Sequence, residues 1–472
     1  LAGSVVAMGC SAIRYLVFAR ILGPKELGLA ATLILTSGAL DIITDTGSDR
    51  FLIQDPDGGD PDALAMVHLV MVIRGFLTAA VLAGGSALIA AFYGFPGLRM
   101  GFVALAIYPL INGFQNGDMR RQQRDHDFRA EGFSTIVAEL SSIGVAIAAA
   151  LILHNFYCVV VALGVRAMVF VPLTHMTAKA SYRIKFARPY AAKLSRFGGP
   201  LILNGLVTFF GVQGDRLVIA NRLAITELGL YSAVSLLGYY PTMVVSRFLV
   251  GIQMPMVARS RESPATRDAV LDAVAGDTLL LSIGAAAGFL LVTPFVLVPL
   301  YGSRFAQSTM VIALVGLLQA WRLLRYWPTT VALGIGKSLP IMISASARLL
   351  ALPLSFAATA LGYGLVGIVS SFILGEVFAC AINLALINPH LSRRIFAGFD
   401  RLGLMVGCSG ALIACASATS PVRGGVAATI SLIVGCVIVV RERRNLGRWV
   451  AMTRGVALGM RRVLPLRFRA ST

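Results

Sequence analysis

The chain has 472 residues, 57% of them hydrophobic and only 13% charged. A soluble domain carries roughly 25% charged residues, so a cytosolic enzyme is excluded. Lysine and arginine number 41 against 22 acidic residues, a net charge of +19. The basic residues come in short bursts between long apolar runs, as in a polytopic membrane protein with basic cytoplasmic loops, and no nucleic-acid partner is expected.

A helix that crosses a bilayer needs about 20 mostly apolar residues, and that ruler gives about fourteen spans. In chain order they are 1–21, 27–46, 64–92, 98–117, 132–153, 156–176, 197–220, 228–256, 270–298, 306–333, 338–361, 364–388, 402–420 and 424–440. The chain opens at Leu1. The native start is expected to lie upstream, and 1–21 reads as a span and not as a cleaved signal peptide. The six cysteines (Cys10, Cys158, Cys380, Cys408, Cys415 and Cys436) all lie in apolar stretches without a CxxC pair. They read as buried thiols, and no metal or other cofactor is expected.

Alternate loops differ in charge. One side holds Arg20, Lys25, Arg99, Arg222, Arg304 and Arg423. The other holds Arg50, the quartet Arg120, Arg121, Arg124 and Arg129, the run from Lys179 to Arg196, Arg259, Arg261, Arg267, Lys337, Arg393, Arg394, Arg401 and the tail from Arg441. By the positive-inside rule the second side is cytoplasmic, and both termini lie there. The tail 441–472 mixes Arg with Leu446, Trp449 and Met460. It reads either as an amphipathic helix on anionic membrane lipid or as a disordered basic tail.

Glu26-Leu27-Gly28-Leu29 recurs as Glu227-Leu228-Gly229-Leu230, each time just after a span and at the start of the next. Phe92-Tyr93-Gly94 is echoed by Leu300-Tyr301-Gly302, each closing a third span. Six spans separate the copies, so both face the same way. This predicts two lobes related by an axis along the membrane normal, with a transport site between them. The expected organisation is all-α: a six-helix lobe over 1–196, a second over 197–390, an added hairpin over 391–440 and a basic tail over 441–472.

Several stretches carry a family resemblance. Asp215-Arg216-Leu217-Val218-Ile219-Ala220, followed by Leu228-Gly229-Leu230-Tyr231-Ser232-Ala233, resembles the end of the seventh and start of the eighth helix of polysaccharide flippases. Met254-Pro255-Met256-Val257-Ala258-Arg259, Arg20-Ile21-Leu22-Gly23-Pro24 and Pro299-Leu300-Tyr301-Gly302 with Phe305-Ala306 resemble other junctions of that family, in order over residues 10 to 390. The family is the Wzx-like branch of the multidrug/oligosaccharidyl-lipid/polysaccharide exporters. The resemblance implies two six-helix bundles around a V-shaped cavity. It implies movement of an undecaprenyl-diphosphate-linked oligosaccharide across a bacterial inner membrane, in company with polysaccharide polymerase and chain-length machinery.

Charges inside the spans point to the cargo independently. Arg14, Arg74, Arg166, Arg247, Arg322, Arg325 and Arg348 fall within spans, against Glu139, Asp215 and Glu376 at depth and Asp45 and Asp277 nearer the ends. Each is expensive there and is expected to face protein or water. A surplus of guanidinium suits an anionic cargo, whose phosphate oxygens match the planar fork. Arg14, Arg74 and Arg247 are the candidate cavity cations. Arg322 and Arg325 either snorkel or join them, while Arg166 and Arg348 read as structural partners of Glu139 and Glu376. The repeat sets Arg14 in register with Asp215, which makes a gate pair of the two; alternatively Asp215 is held locally. Tyr239, Tyr240, Trp321, Tyr326 and Trp327 are sugar-stacking or interface residues, and His68 reads as interfacial. A drug or cation antiporter of the same fold would want an acidic, aromatic cavity. A membrane polymerase or ligase would want a large outer loop with catalytic groups, and there is neither such a loop nor a nucleophile or phosphate-loop motif. A transporter is therefore expected, not an enzyme.

Overall fold

The structure, a computed structural model, describes residues 2–260, 264–388, 396–418, 421–443 and 445–447. Every regular element among them is helical. In chain order these are α1 (Ala2–Leu22), α2 (Pro24–Ile43), α3 (Ser48–Gln54), α4 (Pro61–Gly84), α5 (Ser86–Phe92), α6 (Arg99–Leu105) and α7 (Ile107–Asn112). There follow α8 (Asp118–Arg124), α9 (Arg129–Leu153), α10 (Tyr157–Met176), α11 (Arg188–Arg222), α12 (Ile225–Arg259), α13 (Pro264–Tyr301) and α14 (Thr309–Leu324). The last are α15 (Tyr326–Gly334), α16 (Leu339–Ala347), α17 (Ala351–Ala360), α18 (Gly364–Ile387), α19 (Phe396–Ala416) and α20 (Pro421–Arg441). Eleven helical stretches among the described residues are long and apolar enough to cross a membrane. The protein is a multi-pass membrane protein.

Each expected span finds a helix or a broken helix. Four are broken: 64–92 into α4 and α5, 98–117 into α6 and α7, 306–333 into α14 and α15, and 338–361 into α16 and α17. The chain itself explains three of the breaks. Pro109, Pro328 and Pro353 each stand at the third residue of the segment after the break. A proline there has no N–H for the carbonyl four residues back and its ring crowds that carbonyl. The fourth break falls at Gly84-Gly85, where helix propensity is low. The short helices α3 and α8 were not expected from hydropathy, because neither is apolar enough to register.

The chain forms two compact units. One comprises Leu1–Tyr240, Val292–Gln307 and Arg348–Gly375; the other comprises Pro241–Leu291, Ser308–Ala347 and the described residues from Glu376 onward. In the first unit α9 and α10 make a close hairpin. His154 takes the left-handed conformation at the turn (φ 51°) and the Asn155 side chain accepts from the Tyr157 amide at 3.1 Å. Small residues of α9 (Ala138, Ser142, Ala146, Ala150) are buried, and Ser142 Oγ donates to Ala162 O of α10 at 2.9 Å. Small faces of this kind let membrane helices approach closely.

At the end of the first unit where α3 and α8 lie, Asp118 is fully buried. It accepts from Arg121 Nε (2.8 Å), Gln122 Nε2 (2.9 Å) and the Lys179 amide (2.7 Å). Burial pushes its carboxyl up, but these bonds outweigh burial and hold it below the usual carboxylate range. His68, expected at the interface, is fully buried instead. Its Nε2 accepts from the Gly117 amide at 3.0 Å, so Nδ1 carries the proton and donates to Arg183 O at 3.0 Å. It thereby stitches α4 to the segment after α10. The Arg quartet is also more engaged than a solvated loop would be: Arg120 bridges Asp49 and Glu131, and Arg124 donates to Asp55 O and Pro56 O.

In the second unit α19 and α20 pack on α13 and α14. Arg401 donates to Glu442 (2.8 Å) and to Asp272 of α13 (2.7 Å), and Trp321 Nε1 of α14 donates to Ser409 Oγ at 3.1 Å. Cys10, Cys158, Cys380 and Cys408 are buried as expected, whereas Cys415 and Cys436 are exposed on α19 and α20. Most of the basic tail lies outside the described residues.

Candidate functional site

The repeated tetrapeptide marks a close crossing of two helices. A Cβ on Gly28 would stand 2.0 Å from Ile225 O, and one on Gly229 would stand 1.9 Å from Pro24 O. Pro24 and Ile225 each precede the respective glycine by four residues, so the two copies touch through equivalent atoms in both directions. No side chain fits at either position, which is why the sequence keeps glycine in both. The flanking Leu27 and Leu228 are fully buried.

The same reciprocity holds at the ends of the helices. Arg20, at the end of α1, donates to Pro299 O near the end of α13 at 2.9 Å. Asn221, at the end of α11, donates to Phe92 O at the end of α5. The first helix of each copy thus reaches the third helix of the other. The second echo marks like turns: Gly94 and Gly302 both have positive φ, 65° and 101°.

Beside this crossing, α1, α2, α11 and α12 enclose a cavity of about 480 Å³. All of its lining belongs to the first unit. Its polar wall comprises Ser11, Arg14 and Tyr15 of α1, Thr208, Gln213 and Arg216 of α11, and Ser232, Tyr239 and Tyr240 of α12. Phe18, Ile34, Leu35, Ile42 and Phe209 supply apolar surface. Hydroxyls, an amide, aromatic faces and two guanidinium groups therefore share one chamber.

The two arginines are held differently. Arg14 donates to Ser142 Oγ at 2.8 Å and pairs with Glu139 of α9 at 3.3 Å. Glu139 is buried, and its other oxygen accepts from Arg166 Nε of α10 at 2.6 Å. Arg216 donates to Gln213 Oε1 of its own helix at 3.0 Å, and no carboxylate pairs with it among the described residues. A cation in a low-dielectric wall attracts anions far more strongly than one in water. Arg216 belongs to the stretch Asp215–Ala220 that resembles a helix-ending motif, and the motif gives no sign that its side chain lines the cavity. The available signal was its place one residue beyond Asp215, near the level of Arg14 in the repeat.

The other expected charged site residues are not among the lining of this cavity. Arg74 donates to Thr44 Oγ1 at 3.0 Å and lies 3.9 Å from both Asp41 and Asp45, outside this cavity's lining. Arg247 is exposed in the second unit. Asp215 is buried and accepts from Tyr231 Oη at 2.7 Å and from the Arg216 amide at 2.8 Å. The bond from the Arg216 amide is local, while that from Tyr231 ties α11 to α12. Arg166 pairs with Glu139 as the sequence led one to expect. Glu376 accepts from Arg325 Nε at 2.8 Å and lies 3.6 Å from Arg322 Nε. Arg348 is buried against Gly211, where a Cβ would meet its guanidinium carbon at 2.9 Å. Of the aromatics, Tyr239 and Tyr240 line the cavity, while Trp321 and Trp327 are buried in the second unit.

Comparison with known proteins completes the description. Residues 17–310 match the model of a family described as polysaccharide biosynthesis protein. The succinoglycan biosynthesis transport protein ExoT of Rhizobium meliloti (strain 1021) is 24% identical over 307 residues, 64% of this chain. The chain spans 61% of that relative's length. The lipid II flippase MurJ in an inward closed conformation superposes with a TM-score of 0.68 at 11% identity, over 94% of this chain and 98% of that one. An inward-facing multidrug resistance transporter of the MATE family gives 0.59 at 12% identity, over 84% and 95%. At such identities the likeness is one of fold.

Proposed function

This chain belongs to the polysaccharide biosynthesis protein family, and from that premise we propose that it moves a lipid-linked oligosaccharide across the bacterial inner membrane. The cargo is an oligosaccharide on undecaprenyl diphosphate, and the product serves surface polysaccharide assembly. The protein is then a transporter and not an enzyme, with both termini cytoplasmic, and works by alternating access.

The observation that carries this reading is the cavity: Arg14 and Arg216 beside Tyr15, Tyr239, Tyr240 and Gln213, built by the first two helices of each sequence copy. Guanidinium groups suit a diphosphate, and hydroxyls and aromatic faces suit sugar rings. A cationic drug would meet like charge there, which weighs against an antiporter. The reciprocal contacts of Gly28 with Ile225 and Gly229 with Pro24 support a pseudo-twofold between lobes 1–196 and 197–390. Arg14 and Asp215 keep the role of a gate only by exchanging their present partners during transport. Crosslinking of a cysteine pair at 14 and 215 tests that exchange.

The reading is tested by deletion in the native host. Undecaprenyl-linked repeat units should accumulate on the cytoplasmic leaflet, and wild-type protein should clear them while the double variant Arg14→Ala, Arg216→Ala should not. Normal arrival of the units at the periplasmic face in the deletion strain would defeat the proposal.

A further inference from the structure

Arg14 is the only member of its ion cluster that lines the cavity among the described residues. Glu139, Ser142 and Arg166 stand behind it. Two cations reach the one carboxylate of Glu139, and the bonds are unequal. Arg166 holds one Glu139 oxygen at 2.6 Å, a full charge-assisted hydrogen bond, while Arg14 lies 3.3 Å from the other oxygen. The two arginines also come from different helices, α1 and α10, so one can move without the other. A buried carboxylate left alone is costly, and that cost normally locks its partner in place. Here the cost falls away, because Arg166 stays on Glu139 when Arg14 departs.

We propose that Glu139 is a counter-ion that holds Arg14 in reserve, and that Arg14 leaves it for an anionic group of the cargo entering the cavity. Arg166 is the positioning residue that makes this exchange possible: it keeps Glu139 neutralised throughout. The proposal rests on the cationic cavity described above and adds to it how one of the two cations is made available. Before cargo arrives, Arg14 is satisfied by Glu139 and Ser142, so the chamber carries only the Arg216 charge unpaired among the described residues. When a diphosphate enters, the guanidinium exchanges one oxyanion for another, and no charge is left bare in the membrane. Release reverses the exchange, with Glu139 competing for Arg14 and helping to expel the cargo.

Such a reserve makes the apparent affinity depend on the fraction of molecules in which Arg14 is free. Weakening the hold on Arg14 raises that fraction and tightens binding. Strengthening it does the reverse. A merely structural cluster would weaken binding whichever member is changed.

The test uses the purified full chain in nanodiscs with farnesyl diphosphate as probe, and each variant is checked for folding by size exclusion and thermal unfolding. Glu139→Gln should tighten binding about tenfold or more, the factor removed when a minor competent state of roughly 10% becomes the major one. Arg166→Gln, which leaves Glu139 to Arg14 alone, should weaken binding by a similar factor, and Arg166→Lys should recover part of it. Should Glu139→Gln not fold, Ser142→Ala removes another tie on the same guanidinium and should tighten binding by a smaller factor. If Arg14→Gln and Arg216→Gln weaken binding but Glu139→Gln and Arg166→Gln both weaken it too, or leave it unchanged, the reserve is refuted and the cationic cavity stands. If wild type does not bind the probe, or the Arg14→Gln, Arg216→Gln pair binds as well as wild type, both ideas fall.

Discussion

Two buried carboxylates, one in each unit, each have two arginines within 4 Å, and one set contributes a residue to the cavity's lining. Glu139 takes Arg14 from α1 and Arg166 from α10. Glu376 takes Arg322 and Arg325, three residues apart where α14 meets α15. The carboxylates are equally buried, with side chains 4% and 3% exposed. The difference lies in the covalent connection of the cations. Arg322 and Arg325 share one stretch of backbone, so no movement of a single helix parts Glu376 from one of them alone. Arg14 and Arg166 sit on separate helices and can part singly. Equal charge and equal burial thus give a fixed brace in one place and a releasable pair in the other, and helix provenance decides which.

The largest expected effect is on the brace. Glu376→Ala removes the anion that Arg322 and Arg325 share, and a buried pair broken on one side costs about 3–5 kcal/mol. Thermal unfolding in detergent should show a large loss or no folded protein, and a variant that melts like wild type would end the comparison. Glu139→Ala should cost less, about 1–3 kcal/mol, because the two cations it leaves are partly exposed and Arg14 keeps Ser142 and reaches the cavity. Measuring both in the same detergent sharpens the contrast; an equal loss would make Glu139 a brace as well. Trp321→Phe, one residue before Arg322, removes the 3.1 Å bond to buried Ser409 and should cost about 1 kcal/mol, leaving export intact if the brace is only structural. Smallest in stability is Arg216→Gln, within about 0.5 kcal/mol, since no ion pair among the described residues is lost. Its effect should appear in export of surface glycan, and normal export would remove Arg216 from the site.

Much of the architecture was legible in the chain. Long apolar runs located the helices, and Gly28 and Gly229 announced a contact because a tetrapeptide recurred at the same point of two spans. Arg166 with Glu139 was readable because the α9–α10 hairpin is short, which fixes the two helices antiparallel and side by side. The pairing of Glu376 was not readable. Arg325 stands in span 306–333, and nothing in the sequence says which spans stand beside that carboxylate. His68 was misread for the same reason: near a span end, headgroup and buried loop look alike to a hydropathy count.

The sequence by itself determined which stretches are apolar enough to enter a membrane, that basic residues gather in alternate loops, and that two stretches some 200 residues apart share a tetrapeptide. These follow from transfer free energy and strict local identity, which are properties of residues in order along the chain. Only the tertiary structure decided which charges meet: Arg14 on Glu139 and on the cavity wall, Arg216 beside it, Arg74 turned to Asp41 and Asp45, Glu376 given to Arg325. The reason is geometric. Depth along a helix advances by about 1.5 Å per residue and can be counted from the sequence, whereas the direction in which a side chain points is useful only once the neighbouring helices are in place.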